Sequence, residues 1–147
     1  MNWSPNQVPG PNDAATITNS TAITVSVLAS ETVSGLTIST SSLVGSNQMQ
    51  ISGQLYMTNA TVALPIELES QATGAWAQGD LSGTLTVDSG ATLVMTNTVV
   101  RMGGYNLQHS LTNRATILNN GTLIQGSLTL NAYNATLQNN GLLHEVG

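Results

Sequence analysis

The sequence predicts an all-β protein, and within that class a β-solenoid. The expected form is a parallel β-helix of about six irregular coils making one domain over residues 1–147. Three observations predict it. Apolar residues alternate with polar ones at period 2 along almost the whole chain, in runs of four to six residues, and no window keeps a 3.6-residue period for three turns. Charge is nearly absent: two basic and seven acidic residues make 6% of the chain, against roughly 25% in an average soluble domain. Finally, "ATILNNGTL" (115–123) returns as "ATLQNNGLL" (135–143) at an offset of 20, with six of nine positions identical.

Short strands are expected at 14–18, 22–27, 35–38, 48–52, 54–57, 61–68, 83–87, 91–95, 99–102, 115–118, 121–124, 127–130 and 135–138. Segments rich in Gly, Asn and Ser separate them. Recurrence every 20 to 25 residues lets each coil stack about 4.8 Å above the last. "GATL" (90–93) and "RATI" (114–117), 24 apart, extend the repeat backwards. In Thr84-Leu85-Thr86-Val87, Leu85 and Val87 point inward and Thr84 and Thr86 outward. The same alternation buries Leu93, Ile117, Leu123, Leu128, Leu130 and Leu137 and turns Thr129 out. Threonine suits such a surface, being β-branched, neutral and able to hydrogen-bond sideways, whereas stacked like charges would repel. "NNG" at 119–121 and 139–141 reads either as a hairpin turn or as a coil corner, and the 20-residue repeat favours the corner. Asn tolerates and Gly prefers the left-handed backbone a corner can require, and stacked Asn amides can form ladders. A β-sandwich is the alternative architecture.

"GTLTVDSGATL" resembles the strand-turn-strand unit of autotransporter passengers and filamentous-haemagglutinin-like adhesins, and the likeness runs from Leu81 to Gly147. "NWSPNQVPGPNDAATI" (2–17) is similar to an N-terminal pattern of secreted bacterial β-helix proteins: Trp3, then Val8-Pro9-Gly10, then Asp13 before Ile17. These resemblances imply a secreted or cell-surface β-helix. They carry no catalytic residues over, because the Asp clusters with Arg or Lys of β-helix lyases and hydrolases have no counterpart in this chain.

Composition narrows function. Arg101 and Arg114 are the only basic residues, too few for phosphate binding, so no nucleic-acid partner is expected, nor attraction to anionic membranes. No apolar run approaches 18 residues, so no membrane insertion is expected. With no Cys, and with His109 and His144 35 residues apart, no metal site or cofactor is expected. Trp3 is read as a cover for the first coil and Asp13 as the cap of its own turn.

The interval 69–80 is expected to be an inserted loop. With its approach it holds Glu67, Glu69, Trp76 and Asp80, three of the seven acids and one of the two Trp. An aromatic plate beside carboxylates is a way to hold a sugar, and paired carboxylates can hydrolyse glycosides. The plainer reading is a solvated loop with its Trp against the solenoid. No catalytic residue is assigned, and an enzyme is not expected. Three function classes follow: an extracellular structural or adhesive module that joins flanking coils or other copies, a carbohydrate-binding or polysaccharide-processing β-helix, or ice binding through Thr16/Thr18 and Thr84/Thr86.

Overall fold

The structure, a computed structural model, describes residues 7–96, 110–111, 115–126, 131–132 and 135–146. It is a parallel β-solenoid of about six turns, with no helix among the described residues. This architecture is compatible with the adhesin resemblance but not specific to it.

The first coil contributes β1 (Ala14–Thr18) and β2 (Thr24–Ser26), the second β3 (Glu31–Ser39) and β4 (Ser42–Val44), the third β5 (Met49–Thr58) and β6 (Ala60–Ala63). The fourth holds β7 (Ile66–Leu68), β8 (Thr73–Trp76) and β9 (Gly79–Leu81), the fifth β10 (Thr84–Val87), β11 (Thr92–Met95) and β12 (Ser110–Leu111). β13 (Thr116–Asn119), β14 (Thr122–Gln125) and β15 (Asn131–Ala132) form the sixth, and β16 (Thr136–Asn139) and β17 (Leu142–Glu145) open one more. Every strand pairing among the described residues is parallel, which excludes the sandwich.

Three faces result. β7, β10, β13 and β16 stack on the first half of β5, and β8, β11, β14 and β17 on its second half. The third face is the six-stranded sheet from β2 to β15. β5, expected as two strands, runs unbroken for 10 residues. It turns the corner where β3 shifts register between Val33 and Gly35. A side chain at Gly53 would stand 2.3 Å from Ser34 O, so only glycine lets the coils close there. Conversely, the single strand expected at 61–68 is β6 and β7, separated by Ser-free sequence containing Pro65.

Leu85, Val87, Leu93, Ile117 and Leu123 are fully buried in one continuous core, with Thr84 and Thr86 on the outer side of β10. Leu137 is partly buried against the same core. Leu128, Thr129 and Leu130 lie outside the described residues. The expected 20-residue offset is the true register of the last coils: Thr116 pairs Thr136 and Asn119 pairs Asn139. The 24-residue match is corrected, because "GATL" and "RATI" belong to different faces. Leu93 pairs Leu123, and Ile117 pairs Leu85.

The loop expected at 69–80 is also corrected. It contains β8 and most of β9, both in register with the coils on either side. Strand alternation is masked there because Gly74 occupies an inward position. The space is filled from the neighbours: the Cδ1 atoms of Leu68 and Leu93 each lie 2.8 Å from where a Gly74 Cβ would be.

Candidate functional site

The four residues considered for sugar binding do not share a face. Trp76 points inward from β8 and is 1% exposed. It pairs in register with Met57 below and Met95 above, both buried. Flexible thioethers on either side of an indole pack well and add sulfur–aromatic contact. Trp76 is therefore a core residue, with no ring face offered to a ligand. Asp80 is exposed on β9, on the third face.

Glu67 lies elsewhere, in the middle of β7, and Glu69 at the corner after it. Glu67 belongs to an outward column, Thr32, Gln50, Glu67, Thr86. Gln48 Nε2 donates to Glu67 Oε2 at 2.5 Å and Gln50 Nε2 at 3.0 Å, while Thr32 Oγ1 donates to Gln50 Oε1 at 3.1 Å. Asp88, in the turn between β10 and β11, joins them one coil up. Its carboxyl is pushed above the ordinary value of 3.8, chiefly by burial, then by the charge of Glu67, its hydrogen bond with Glu67, and the charge of Glu69. Among the described residues no group of His, Asp and Glu is arranged to hold a metal ion. The patch is a half-buried carboxylate cluster whose Glu67 is already engaged by two amides.

Asp13 accepts from Gly10 N through Oδ2 at 2.9 Å, and its own N–H donates to Gly10 O, closing the turn expected of it. The paired threonine rows expected at Thr16/Thr18 and Thr84/Thr86 do not continue as pairs. Thr16 stacks on Thr37, but Tyr56 follows. Thr86 is followed by Leu118 and Gln138. Single columns do run further, Thr84, Thr116 and Thr136 on one face and Thr73, Thr92 and Thr122 on the next, but among the described residues neither expected pair continues as two adjacent threonine columns. Trp3, Arg101, His109 and Arg114 lie outside the described residues.

The more informative region is the C-terminal end of the stack. β16 pairs only β13, and β17 only β14, so each leaves one strand edge unpaired among the described residues. Leu143, in the column of buried Leu93 and Leu123, is 41% exposed, and Leu142 is 59% exposed. An unpaired edge over an incompletely covered core is the usual acceptor for strand addition.

This end carries the Asn corner. On the first face the inward column runs Val33, Ile51, Leu68, Val87, then Asn119 and Asn139. Asn119 is fully buried yet fully used: Nδ2 donates to Asn139 Oδ1 at 2.6 Å and to Leu142 O at 2.9 Å, and Oδ1 accepts from Gly121 N at 3.2 Å. An outer pair runs the other way, Asn140 Nδ2 donating to Asn120 Oδ1 at 3.0 Å. The amide ladder expected from the repeat is present. The reason for its glycines differs from the expected one. At this corner of the stack the left-handed residues are Gln71 and Gly90, not Gly121 or Gly141, while Thr40 and Asn59 are left-handed at the next corner round. Gly121 instead crosses the four-residue Asp88–Ala91 turn, where a Cβ would meet Asp88 O at 2.2 Å and Ala91 O at 2.4 Å, and Gly141 sits on Gly121 in the same way.

No helix among the described residues is long and apolar enough to cross a membrane. Comparison with family models, curated proteins and solved structures finds no match to this chain.

Proposed function

We propose that the chain is an extracellular structural or adhesive solenoid module that assembles with flanking coils or other copies through its open end. The observation carrying this reading is the C-terminal coil, which keeps the register and apolar column of the coils beneath it but, among the described residues, leaves Leu143 and one edge of each strand uncovered. A surface of hydroxyls and amides with few charges supports it, since stacked neutral side chains do not repel as coils are added. The acidic balance of −5 is small, and salt screens most of it. Secretion or surface display is part of the proposal, and it rests on the composition and the adhesin-like repeat.

Light scattering and negative-stain microscopy over a concentration series test the assembly. Growth into rods or end-joined particles is expected, and a species that stays monomeric at high concentration would count against it. Fractionation of the native cells tests the location, with the chain expected in the medium or surface fraction.

A further inference from the structure

Given that reading of the chain as an assembling module, the geometry points to a specific occupant for the open end: a polypeptide segment of two short strands joined by an Asn-Asn-Gly corner, added parallel and in register. The open end is thus read as selective rather than merely adhesive.

The selectivity follows from the two Asn ladders, which run in opposite directions. The inner amide donates upward, from Asn119 to Asn139 and to Leu142 O of the next coil. Among the described residues no coil lies above the last one, and there the equivalent amide of Asn139 turns back to Gly141 O at 3.1 Å. It can be redirected to a side-chain oxygen above it, as Asn119 shows. The outer amide donates downward, from Asn140 to Asn120, so Asn140 Oδ1 is the acceptor left for a coil above. An incoming corner must then supply an acceptor at the inner position and a donor at the outer one, and Asn at both meets the two demands. The third corner position must be glycine, because Gly121 and Gly141 each rest on the backbone of the coil below at a spacing that excludes a Cβ.

A fourth contact refines the choice. Met95 pairs Gln125, and Gln125 pairs Glu145, so a carboxylate tops this column. The incoming residue there should donate a hydrogen bond and carry no negative charge. The 115–126 segment of this chain satisfies every position: Ile117 over Leu137, Asn119 and Asn120 over their counterparts, Gly121 over Gly141, Leu123 over Leu143 and Gln125 over Glu145. The first coil of a second copy does not, since neither of its strands carries an Asn-Asn-Gly corner. Head-to-tail stacking of copies therefore lacks these corner contacts and is expected to be weaker than addition of a matching segment.

The test uses a fluorescent peptide with the sequence of residues 115–126, titrated with the 147-residue chain and followed by anisotropy. Saturable binding is expected. It should weaken about tenfold or more when both peptide Asn are replaced by Ala, each lost hydrogen bond counting for up to about a factor of ten, and also with Gln125→Glu in the peptide. The same segments tethered after Gly147 by a flexible linker give a second readout at high effective concentration, with amide protection of 136–145 expected for the native segment only. Equal binding by all three peptides, or no protection by the tethered native segment, overturns the proposal. If the chain alone still forms rods in that case, the module reading survives and only the corner selectivity fails. If it forms none, both fail.

Discussion

Asn119 places its side-chain amide between Asn139 Oδ1 and Leu142 O, at 2.6 and 2.9 Å, in a column that is aliphatic in the four coils below it. A buried amide is tolerated there because both its hydrogens and its oxygen are used. It thereby fixes the last coil to the one beneath. Replacing Asn119 by Ala leaves Leu142 O and Gly121 N without this partner, which should cost about 1–3 kcal/mol. A thermal melt measures the loss, and hydrogen exchange should place it in residues 136–145.

Position along the stack sets the value of a leucine. Leu123→Ala, at a fully buried site, should destabilise by about 2–5 kcal/mol. Leu143→Ala, in the same column but 41% exposed, should cost clearly less in the isolated chain. Equal losses in denaturant titrations would mean that the last coil is covered in solution.

Gly121→Ala sets a Cβ against two backbone carbonyls rather than against a movable side chain. Neither turn can yield without breaking the coil contacts, so a loss of at least about 1–3 kcal/mol is expected. Gly90→Ala, strained by its φ of 87° but beside the Ser70 side chain, offers a comparison in which backbone strain acts with less crowding. Melting both variants checks the order, with Gly121→Ala the more damaging.

The stack was legible where like residues recur in sequence and obscure where neighbouring coils compensate each other. Leu85 and Val87 alternate with threonines, so their burial could be read locally, and the two Asn-Asn-Gly corners set the register of the last coils. Gly74 hides β8, because the volume it gives up is taken by Leu68 from the facing side of its own coil and Leu93 from the next. Trp76 drew attention as an isolated aromatic among acids, yet its neighbours are Met57 and Met95, each 19 positions away in sequence. Asp88 was missed for the same reason, since its partner Glu67 is adjacent only across the coil.

That proximity has a pH signature. Burial and the neighbouring carboxylates raise the Asp88 value in the fold above the unfolded 3.8. The native state thus holds this proton more tightly, and the resulting stabilisation is full below 3.8 and is lost as pH rises through the raised native value. At neutral pH Asp88→Asn should melt higher than the parent chain, and the gap should close as pH falls below 3.8. A gap that stays constant across a pH series of melts would show that the Asp88 carboxyl is not raised in the fold.

The open coil is tested most directly by hydrogen exchange of the whole chain as a function of its concentration. In dilute solution the amides of 136–139 and 142–145 on the free edges should exchange far faster than those of β10 and β11, which are paired on both sides. As concentration rises, protection should appear in those two segments while β10 and β11 stay unchanged. Protection of 136–145 that equals the core at every concentration, in a particle that remains monomeric, would contradict the account.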